Sequence, residues 1–382
     1  MSRGELQEHR IYLADDRKLA AYRAALAEVV KPGEVVLDLG SGTGLLGYLA
    51  CEAGAKSVIA VDGGDIIAAA REIAAANGYA DRIIHIQALS TETALPTPAD
   101  VAVCDQIGGL VYDAGILAFY ADARKRLLAP GARLIPAAFE IMLAPVTFEA
   151  GRKAVDFWSS RPGSIDVSPV HPLAANTEWH YNPAPEDVEK LAGGKVLASF
   201  ASDHDDPIKG RATFEVEVPG LFDGFLGWFV SRLSPSVTLT NDPWSPDRLE
   251  RWSNFYALDK ATPVLPGDRV QLDLDVRPRL SLVSWSTTVL HSDGRTLRSR
   301  QSTFNSSFLS TSTVDGIVTD QPVVTSERAE LIRRVLDLID GRRTQRDIVS
   351  LLSDRVGIDF ASPTHLENFV RRVVKLNSRD LT

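Results

Sequence analysis

The sequence predicts an α/β domain with a parallel sheet, then an antiparallel β domain, and finally a small helical extension. Strand-like and helix-like segments alternate over residues 1–146, which is the pattern of βαβ units. Over residues 147–312 the helical periodicity fades, and Pro, Gly, Asn and Asp separate strand-like runs, which favours an antiparallel sheet. Residues 318–382 return to apolar residues at helical spacing. We therefore expect three domains with these boundaries.

The elements of the α/β part follow from local patterns. An apolar run rich in β-branched residues predicts the first strand at 35–39, and a glycine-rich turn separates it from a helix. Further strands are predicted at 58–62, 82–87 and 101–104, helices at 45–53, 65–77 and 116–128, and a turn at Pro130-Gly131.

The other two parts are interpreted in the same way. Runs rich in strand-forming residues predict antiparallel strands at 212–218, 225–233, 269–276 and 280–290. Helices of the extension are predicted at 326–339, 344–352 and 364–376, after a linker rich in Ser and Thr at 305–320.

Composition limits the classes of partner. The chain has 382 residues, 41 Lys and Arg against 50 Asp and Glu, and a net charge of −9. Such a chain lacks the general basic surface that binds nucleic acid or an anionic membrane, so we expect neither partner. Its two cysteines, Cys51 and Cys104, have no zinc-ligand spacing, and we expect no metal. No leader-like or membrane-spanning run is visible, which predicts a cytoplasmic protein.

The strongest local signal is a glycine-rich loop after the first strand, Asp38-Leu39-Gly40-Ser41-Gly42-Thr43-Gly44. The spacing Gly42-x-Gly44-x-x-Gly47 formally fits a dinucleotide loop. However, a carboxylate at Asp38 would repel a pyrophosphate and suits a cation, such as the ammonium of a methionine moiety. The loop therefore favours S-adenosylmethionine (SAM), with S-adenosylhomocysteine as the product. Asp62, at the end of the second strand, suits ribose hydroxyls.

Three segments resemble the protein arginine methyltransferase family. They are the stretch from Val35 through the glycine loop to Leu46, the stretch Ala53–Asp62, and Arg126-Leu127-Leu128-Ala129-Pro130-Gly131. Later segments that resemble the family's barrel include Gly224–Phe229, Leu239–Pro243 and Val264–Asp268. The resemblance covers roughly residues 9–300. It implies a Rossmann-like SAM-binding domain followed by an antiparallel β-barrel, and a homodimer formed through an arm on the barrel.

The resemblance also implies roles for individual residues in cofactor binding. Asp38, Gly40, Gly42, Gly44 and Leu45 would hold the methionine end, and Asp62 would hold the ribose. Ser90 and Thr91 would flank the adenine. An arginine of the family's N-terminal helix binds the SAM carboxylate. Here either Lys18 or Arg23 takes that role, and we favour Lys18.

The substrate motifs depart from the family pattern. The family holds the substrate guanidinium with two glutamates of one loop, and here Asp105 and Asp113 lie at or near those positions. Glu250-Arg251-Trp252 replaces the family's Thr-His-Trp motif. We take Asp105, Asp113 and Arg251 as catalytic candidates. Alternatives stay open for two of them. Arg251 is a surface residue, or it points into the pocket and there repels a guanidinium or pairs with Asp105 or Asp113 in a structural salt bridge. Asp113 is the N-cap of the following helix.

These observations predict a SAM-dependent methyltransferase whose acceptor is an arginine or guanidino nitrogen of a protein, peptide or small molecule. One alternative is a methyltransferase with a different acceptor in a natural-product or peptide-modification pathway. Another is a catalytically silent protein that binds SAM as a scaffold. The segment Val335–Ile348 weakly resembles winged-helix or peptide-clasping modules, and a helical cap on the enzyme is the competing interpretation.

Overall fold

The computed structural model describes residues 5–306, 327–355 and 363–377. It divides into two compact units, Met1–Ser307 and Phe308–Thr382. The first unit contains both the parallel and the antiparallel sheets, and the second contains the helical extension.

A five-stranded parallel sheet forms the first part of the larger unit. Its strands are β1 (Val35–Leu39), β2 (Ser57–Asp62), β3 (Ile83–Gln87), β4 (Ala99–Cys104) and β5 (Leu128–Ile135), in the order β3-β2-β1-β4-β5. The helices are α1 (Glu5–Leu13), α2 (Asp16–Val29), α3 (Leu45–Glu52), α4 (Ile67–Ala76) and α5 (Ile116–Arg126). β1, β2 and β4 consist mainly of buried apolar residues because helices cover a parallel sheet on both faces. Their carboxyl ends lie at one edge, where ligands bind in such sheets.

The predicted turn at Pro130-Gly131 is wrong, because both residues lie inside β5. The pairing with β4 explains the difference. Ala99 pairs with Leu128, but Val101 pairs with Arg133, so several residues of β5 bulge out between the two pairs. Gly131 takes the positive φ of 76° that this bulge requires.

Two antiparallel sheets form the rest of the larger unit. The strands are β6 (Ala138–Thr147), β7 (Glu178–Tyr181), β8 (Glu189–Lys190), β9 (Lys195–Ala201), β10 (Ile208–Glu215), β11 (Gly220–Arg232), β12 (Thr238–Thr240), β13 (Ser253–Val264), β14 (Arg269–Arg277), β15 (Leu282–Leu290) and β16 (Thr296–Ser302). One sheet has seven strands, with the path β7-β13-β11-β6-β8 and with β12 and β9 paired to β11 and β6. The other has the order β10-β14-β15-β16. Because β6 already belongs to the antiparallel part, that part begins before residue 147, where the sequence placed the boundary.

Aromatic residues join the two antiparallel sheets. The Trp285 indole N–H donates to the Ala257 carbonyl at 3.2 Å, and the ring of Trp285 packs edge-on against Tyr256. Phe214 packs against Phe225 in the same interior. Between β6 and β7 the chain forms α6 (Glu149–Asp156), α7 (His171–Ala175) and short 3-10 turns.

The smaller unit contains three described helices, α8 (Glu327–Asp337), α9 (Gln345–Arg355) and α10 (Pro363–Asn377). Their apolar faces bury Val335, Ile348, Leu352 and Val370 in one cluster. This agrees with the predicted helical extension. Ser326 and residues 307–320 of the predicted linker lie outside the described residues. In the part of the chain that the structure describes, no helix has the length and apolar character needed to cross a bilayer.

Candidate functional site

A cavity of about 860 Å³ lies at the carboxyl edge of the parallel sheet. It is lined by α1, the start of α2, the end of β1 with the loop after it and the start of α3, the end of β2, the loop after β4, the residue after β7, and the irregular segment before β13. The lining residues are Gln7, His9, Ile11, Tyr12, Leu13, Lys18, Asp38, Gly40, Ser41, Gly42, Thr43, Leu45, Leu46, Asp62, Asp105, Gln106, Gly108, Ala114, Asn182, Glu250, Arg251 and Trp252.

The glycine loop presents backbone to the cavity where side chains could not fit. Gly42 has a φ of 53°, and a Cβ there would lie 2.8 Å from the His9 ring. Gly40 has a φ of 65°, and a Cβ there would lie 2.1 Å from the Gln106 amide nitrogen. The positive φ therefore favours glycine at both positions, and a side chain there would also have to displace Gln106 or His9. Gly44 has a φ of 85° and is the N-cap of α3.

Asp38 is a buried carboxylate with an unfilled acceptor. The residue is 1% exposed, and its Oδ2 accepts the Gly47 amide at 2.9 Å. Its Oδ1 is buried without a hydrogen-bond partner among the described residues. Burial above all, together with the charges of Asp62 and Asp105, raises its pKa to about 7. Such a group is costly to ionise unless a cation compensates it, and the ammonium of SAM would fit this requirement.

Asp62 is anchored beside the loop. Its Oδ2 accepts the Gly42 amide at 2.8 Å, and its Oδ1 accepts the Gly64 amide at 2.7 Å. Each carboxylate oxygen keeps a second lone pair, which could accept a ribose hydroxyl. The donor and acceptor set of this half of the cavity therefore fits SAM.

Lys18 and Arg23, the two candidates for binding the cofactor carboxylate, lie in different environments. Lys18 is 3% exposed and lines the cavity, and its amide bonds to the Asp15 side chain, the N-cap of α2. Arg23 lies on the surface and pairs with Glu52 at 3.1 Å. Lys18 is thus placed where a cofactor carboxylate could reach it.

Leu45 lines the cavity, whereas Ser90 and Thr91 do not. Both form a 3-10 turn after β3, and the Arg126 guanidinium holds the Ser90 carbonyl at 2.8 Å. Thr91 is exposed to solvent. Contact of these two residues with the adenine stays a prediction.

Asp105 forms a buried cluster with two cations. Its Oδ2 lies 2.8 Å from Lys18 Nζ, and its Oδ1 lies 2.6 Å from a terminal guanidinium nitrogen of Arg251. The Tyr22 hydroxyl lies 3.4 Å from Oδ1 and also donates to the Cys104 carbonyl. The side chains of Lys18, Arg251 and Asp105 are only 3%, 14% and 19% exposed. Arg251 is therefore not a surface residue.

Asp113 is occupied by its own loop. Its side chain accepts the Gly109 amide at 2.9 Å and the Leu110 amide at 3.4 Å. It does not cap α5, because the N-cap of that helix is Gly115, and it does not line the cavity. The two loop aspartates are thus not brought together as an open pair.

A second polar cluster supports the loop 105–113 after β4, which we name the acceptor loop, and the sequence did not reveal this cluster. Glu178 contacts the Tyr112 and Tyr256 hydroxyls, the latter at 2.7 Å, and accepts from the Asn254 amide at 2.5 Å. Burial first and then Glu178 raise the pKa of both tyrosines. The pairing of β7 with β13 brings Glu178 opposite Tyr256, so no local sequence signal could identify it.

Known proteins that are similar in sequence to this chain are methyltransferases. Residues 23–136 match the family model of ribosomal protein L11 methyltransferase (PrmA). Probable protein arginine N-methyltransferase 6 of Arabidopsis thaliana is 28% identical over 58% of this chain and 53% of its own length. Protein arginine N-methyltransferase 6 of Xenopus tropicalis is 26% identical over 72% of this chain and 86% of its own. The chain spans about half the length of the first curated plant relatives it matches.

Solved structures show the same fold. The enzyme-prozyme complex of Trypanosoma brucei PRMT1 with AdoHcy has a TM-score of 0.66 at 22% identity and covers 77% of this chain and 97% of its own. Arabidopsis thaliana protein arginine methyltransferase 10 has a TM-score of 0.66 at 17% identity over 78% of this chain and 98% of its own. The predicted architecture and the predicted resemblance to arginine methyltransferases are both confirmed.

Proposed function

We propose that the chain is a SAM-dependent methyltransferase whose acceptor is an arginine or guanidino nitrogen. The observation that carries the cofactor is the buried, half-unpartnered carboxylate of Asp38 beside the glycine loop. The guanidino acceptor rests on the relatives, which are named as arginine methyltransferases, and on Asp105, the carboxylate that lines the cavity from the loop after β4.

Different residues of the cavity would bind the cofactor and align the acceptor. Asp38 would hold the cofactor's ammonium, Lys18 its carboxylate and Asp62 its ribose. Bound SAM supplies an already activated methyl group on a sulfonium, so the chain mainly has to align an acceptor nitrogen and receive a proton. Asp105 is the carboxylate of the acceptor loop that lines the cavity, and we assign it the orientation of that nitrogen. Arg251 is the guanidinium that pairs with Asp105 in the structure.

The test is methyl transfer measured by mass spectrometry. Purified protein and SAM are incubated with free arginine, a single-arginine peptide and a mixed metabolite extract. We expect a gain of one methyl mass on an arginine substrate, lost in Asp105→Ala while SAM binding by calorimetry persists. Absence of SAM binding by the wild type would overturn the cofactor assignment, and an unchanged rate in Asp105→Ala would favour a scaffold role.

A second candidate keeps the methyltransferase and changes the acceptor. The observation that favours it is the pairing of Asp105 with both Lys18 and Arg251, which leaves the loop without an open carboxylate for a cation. Methylation of a species in the extract, with no gain on arginine, would select this candidate.

We also propose a homodimer. Support comes from the helical segment between β6 and β7, in which Phe157 and Ile165 are 48% and 68% exposed, a feature suited to an interface. Size-exclusion chromatography with light scattering would test it, and a monomeric mass at tens of micromolar would overturn it.

A further inference from the structure

We propose that Arg251 is an internal competitor of the acceptor: its guanidinium fills the position on Asp105 that an arginine substrate needs. The proposal rests on the function proposed above and assigns Arg251 the role of a specificity-determining residue. An arginine acceptor then pairs with Asp105 only after the Arg251 side chain has moved away.

An arginine acceptor needs a carboxylate in the cavity that can bind its guanidinium. Four acidic residues line the cavity: Asp38, Asp62, Asp105 and Glu250. Asp38 and Asp62 belong to the cofactor half. Glu250 is exposed and accepts from the Asn182 amide at 3.1 Å. Since Asp113 is bonded to loop amides, Asp105 is the loop carboxylate that a guanidinium would have to use.

The Asp105 carboxylate is already paired with two cations of the chain. A guanidinium binds a carboxylate best when it reaches both oxygens. On Asp105 one oxygen is 2.8 Å from Lys18 and the other is 2.6 Å from Arg251. Both guanidinium end nitrogens of Arg251 also lie 3.4 Å from the Asp105 carbonyl. Two cations thus surround one anion, and a third cation would be repelled in a poorly solvated site.

Of the two cations paired with Asp105, Arg251 is the one whose side chain can move away. Lys18 is anchored in α2, whose N-terminus Asp15 caps, and it is 3% exposed. Arg251 lies in an irregular segment between β12 and β13, beside the exposed Glu250 and beside Trp252, which is 61% exposed. Its side chain can therefore reach solvent without breaking a helix or strand, while Lys18 keeps Asp105 paired.

The experiment measures binding of a guanidinium without depending on turnover. Full-length wild type, Arg251→Ala and Arg251→Lys are saturated with S-adenosylhomocysteine and titrated in a calorimeter with acetyl-Gly-Arg-Gly-amide. The same peptide with citrulline provides an uncharged control ligand. Arg295→Ala is the matched control variant, since Arg295 pairs with Asp293 in an exposed turn outside the cavity. Melting temperatures verify that each variant is folded.

We expect Arg251→Ala to bind the arginine peptide about tenfold more tightly, or more, than wild type, because removing a competing state raises the binding-competent fraction. Arg251→Lys, which keeps a cation beside Asp105, should stay close to wild type, and so should Arg295→Ala. Affinity for the citrulline peptide should not change.

Three results would overturn the proposal. They are equal or weaker arginine binding by Arg251→Ala, an equal gain for the citrulline peptide, and binding by Arg251→Lys as tight as by Arg251→Ala. Failure of the proposed function is distinguished by the cofactor: a protein that does not bind S-adenosylhomocysteine lacks the cofactor site. Binding of S-adenosylhomocysteine with no arginine binding in any variant overturns the guanidino acceptor and, with it, the competitor.

Discussion

The two halves of the cavity handle their carboxylates in opposite ways. In the cofactor half, Asp38 is buried with one oxygen unpartnered, and burial raises its pKa to about 7. In the acceptor half, Asp105 has a cation on each oxygen. The carboxylate of the cofactor half thus keeps one oxygen that could accept from an external cation, whereas the carboxylate of the acceptor half is paired with cations of the chain itself.

A carboxylate at a family motif position is therefore not always free to bind a cation. Asp105 follows β4 at the edge of the sheet, as the resemblance implied. Its availability, however, depends on Arg251, which lies far along the chain and is brought in by the antiparallel part. Position alone therefore does not define what such a carboxylate can bind.

Asp38→Asn should have the largest effect, because it removes the cofactor half's charge. We expect SAM affinity measured by calorimetry to fall by about a hundredfold or more, as for a lost charge pair in a buried site. The ligand-free variant should also melt at a higher temperature than wild type at pH 8. Asn avoids ionising a buried group whose pKa is raised from 3.8 to about 7, worth at most about 4 kcal/mol.

Proton binding by Asp38 determines how the stability difference between Asp38→Asn and wild type changes with pH. Between about pH 4 and 7 the folded state keeps the Asp38 proton that the unfolded state has lost, so ionisation destabilises the folded wild type increasingly as pH rises. The stability advantage of Asp38→Asn should therefore shrink as pH falls toward 4. Asp223→Asn is the matched control, since Asp223 is also buried but pairs with Arg152 outside the cavity; it should leave SAM affinity unchanged.

Asp105→Ala tests the acceptor half and should cost stability as well as turnover. Removal of the anion leaves Lys18 and Arg251 facing each other, and breaking such a part-buried cluster costs about 2 to 4 kcal/mol. Denaturant unfolding would measure the loss. Adding Arg251→Ala to Asp105→Ala should restore part of it, and strictly additive effects of the two substitutions would contradict the cluster.

The pH dependence of SAM binding tests the role of Asp38 in the cofactor half. Because the cation needs ionised Asp38, affinity should fall as pH drops below about 7, by up to about tenfold per pH unit. Calorimetry between about pH 5.5 and 7 measures this slope. A flat profile in the wild type would show that Asp38 is already ionised without a ligand, and Asp38→Asn should lack the slope.

Tyr112→Phe should give the smallest effect and separates support of the acceptor loop from cofactor binding. It removes one hydroxyl that contacts Glu178 and Tyr256, a loss of about 1 kcal/mol. We expect kcat/KM to decrease a few-fold while the Kd for SAM stays constant. An equal change in both quantities would mean that the loop and the cofactor site are not separable.

The sequence signals of the cofactor-binding residues are local. The apolar run of β1, Asp38 and the glycines lie within ten residues, and the carboxyl edge of a parallel sheet brings Asp62 to them. The acceptor half depends on long-range pairing. The Arg251–Asp105 pair joins residues 146 apart, and Glu178 is brought in by the register of β7 on β13.

Two smaller differences have separate causes. The Pro130-Gly131 pair has the composition of a turn, yet the register shift against β4 absorbs it into β5. Asp113 precedes a helix and resembles an N-cap, but the intervening Gly115, with a φ of 86°, begins the helix instead. In the first case tertiary pairing overrides local preference. In the second the Asp113 side chain bonds to amides of its own loop instead of capping the helix.

The ties between the acceptor loop and the antiparallel sheets have an evolutionary consequence. The Asn241 amide holds the Gly109 carbonyl at 2.8 Å, and Tyr112 reaches Tyr256 and Glu178, so residues after Ala138 shape the loop that follows β4. Drift in those later strands can therefore retune which molecules are modified while the nucleoside-binding half stays constant. A chimaera that exchanges everything after Pro136 with a relative should inherit the donor's substrate range along with its strands.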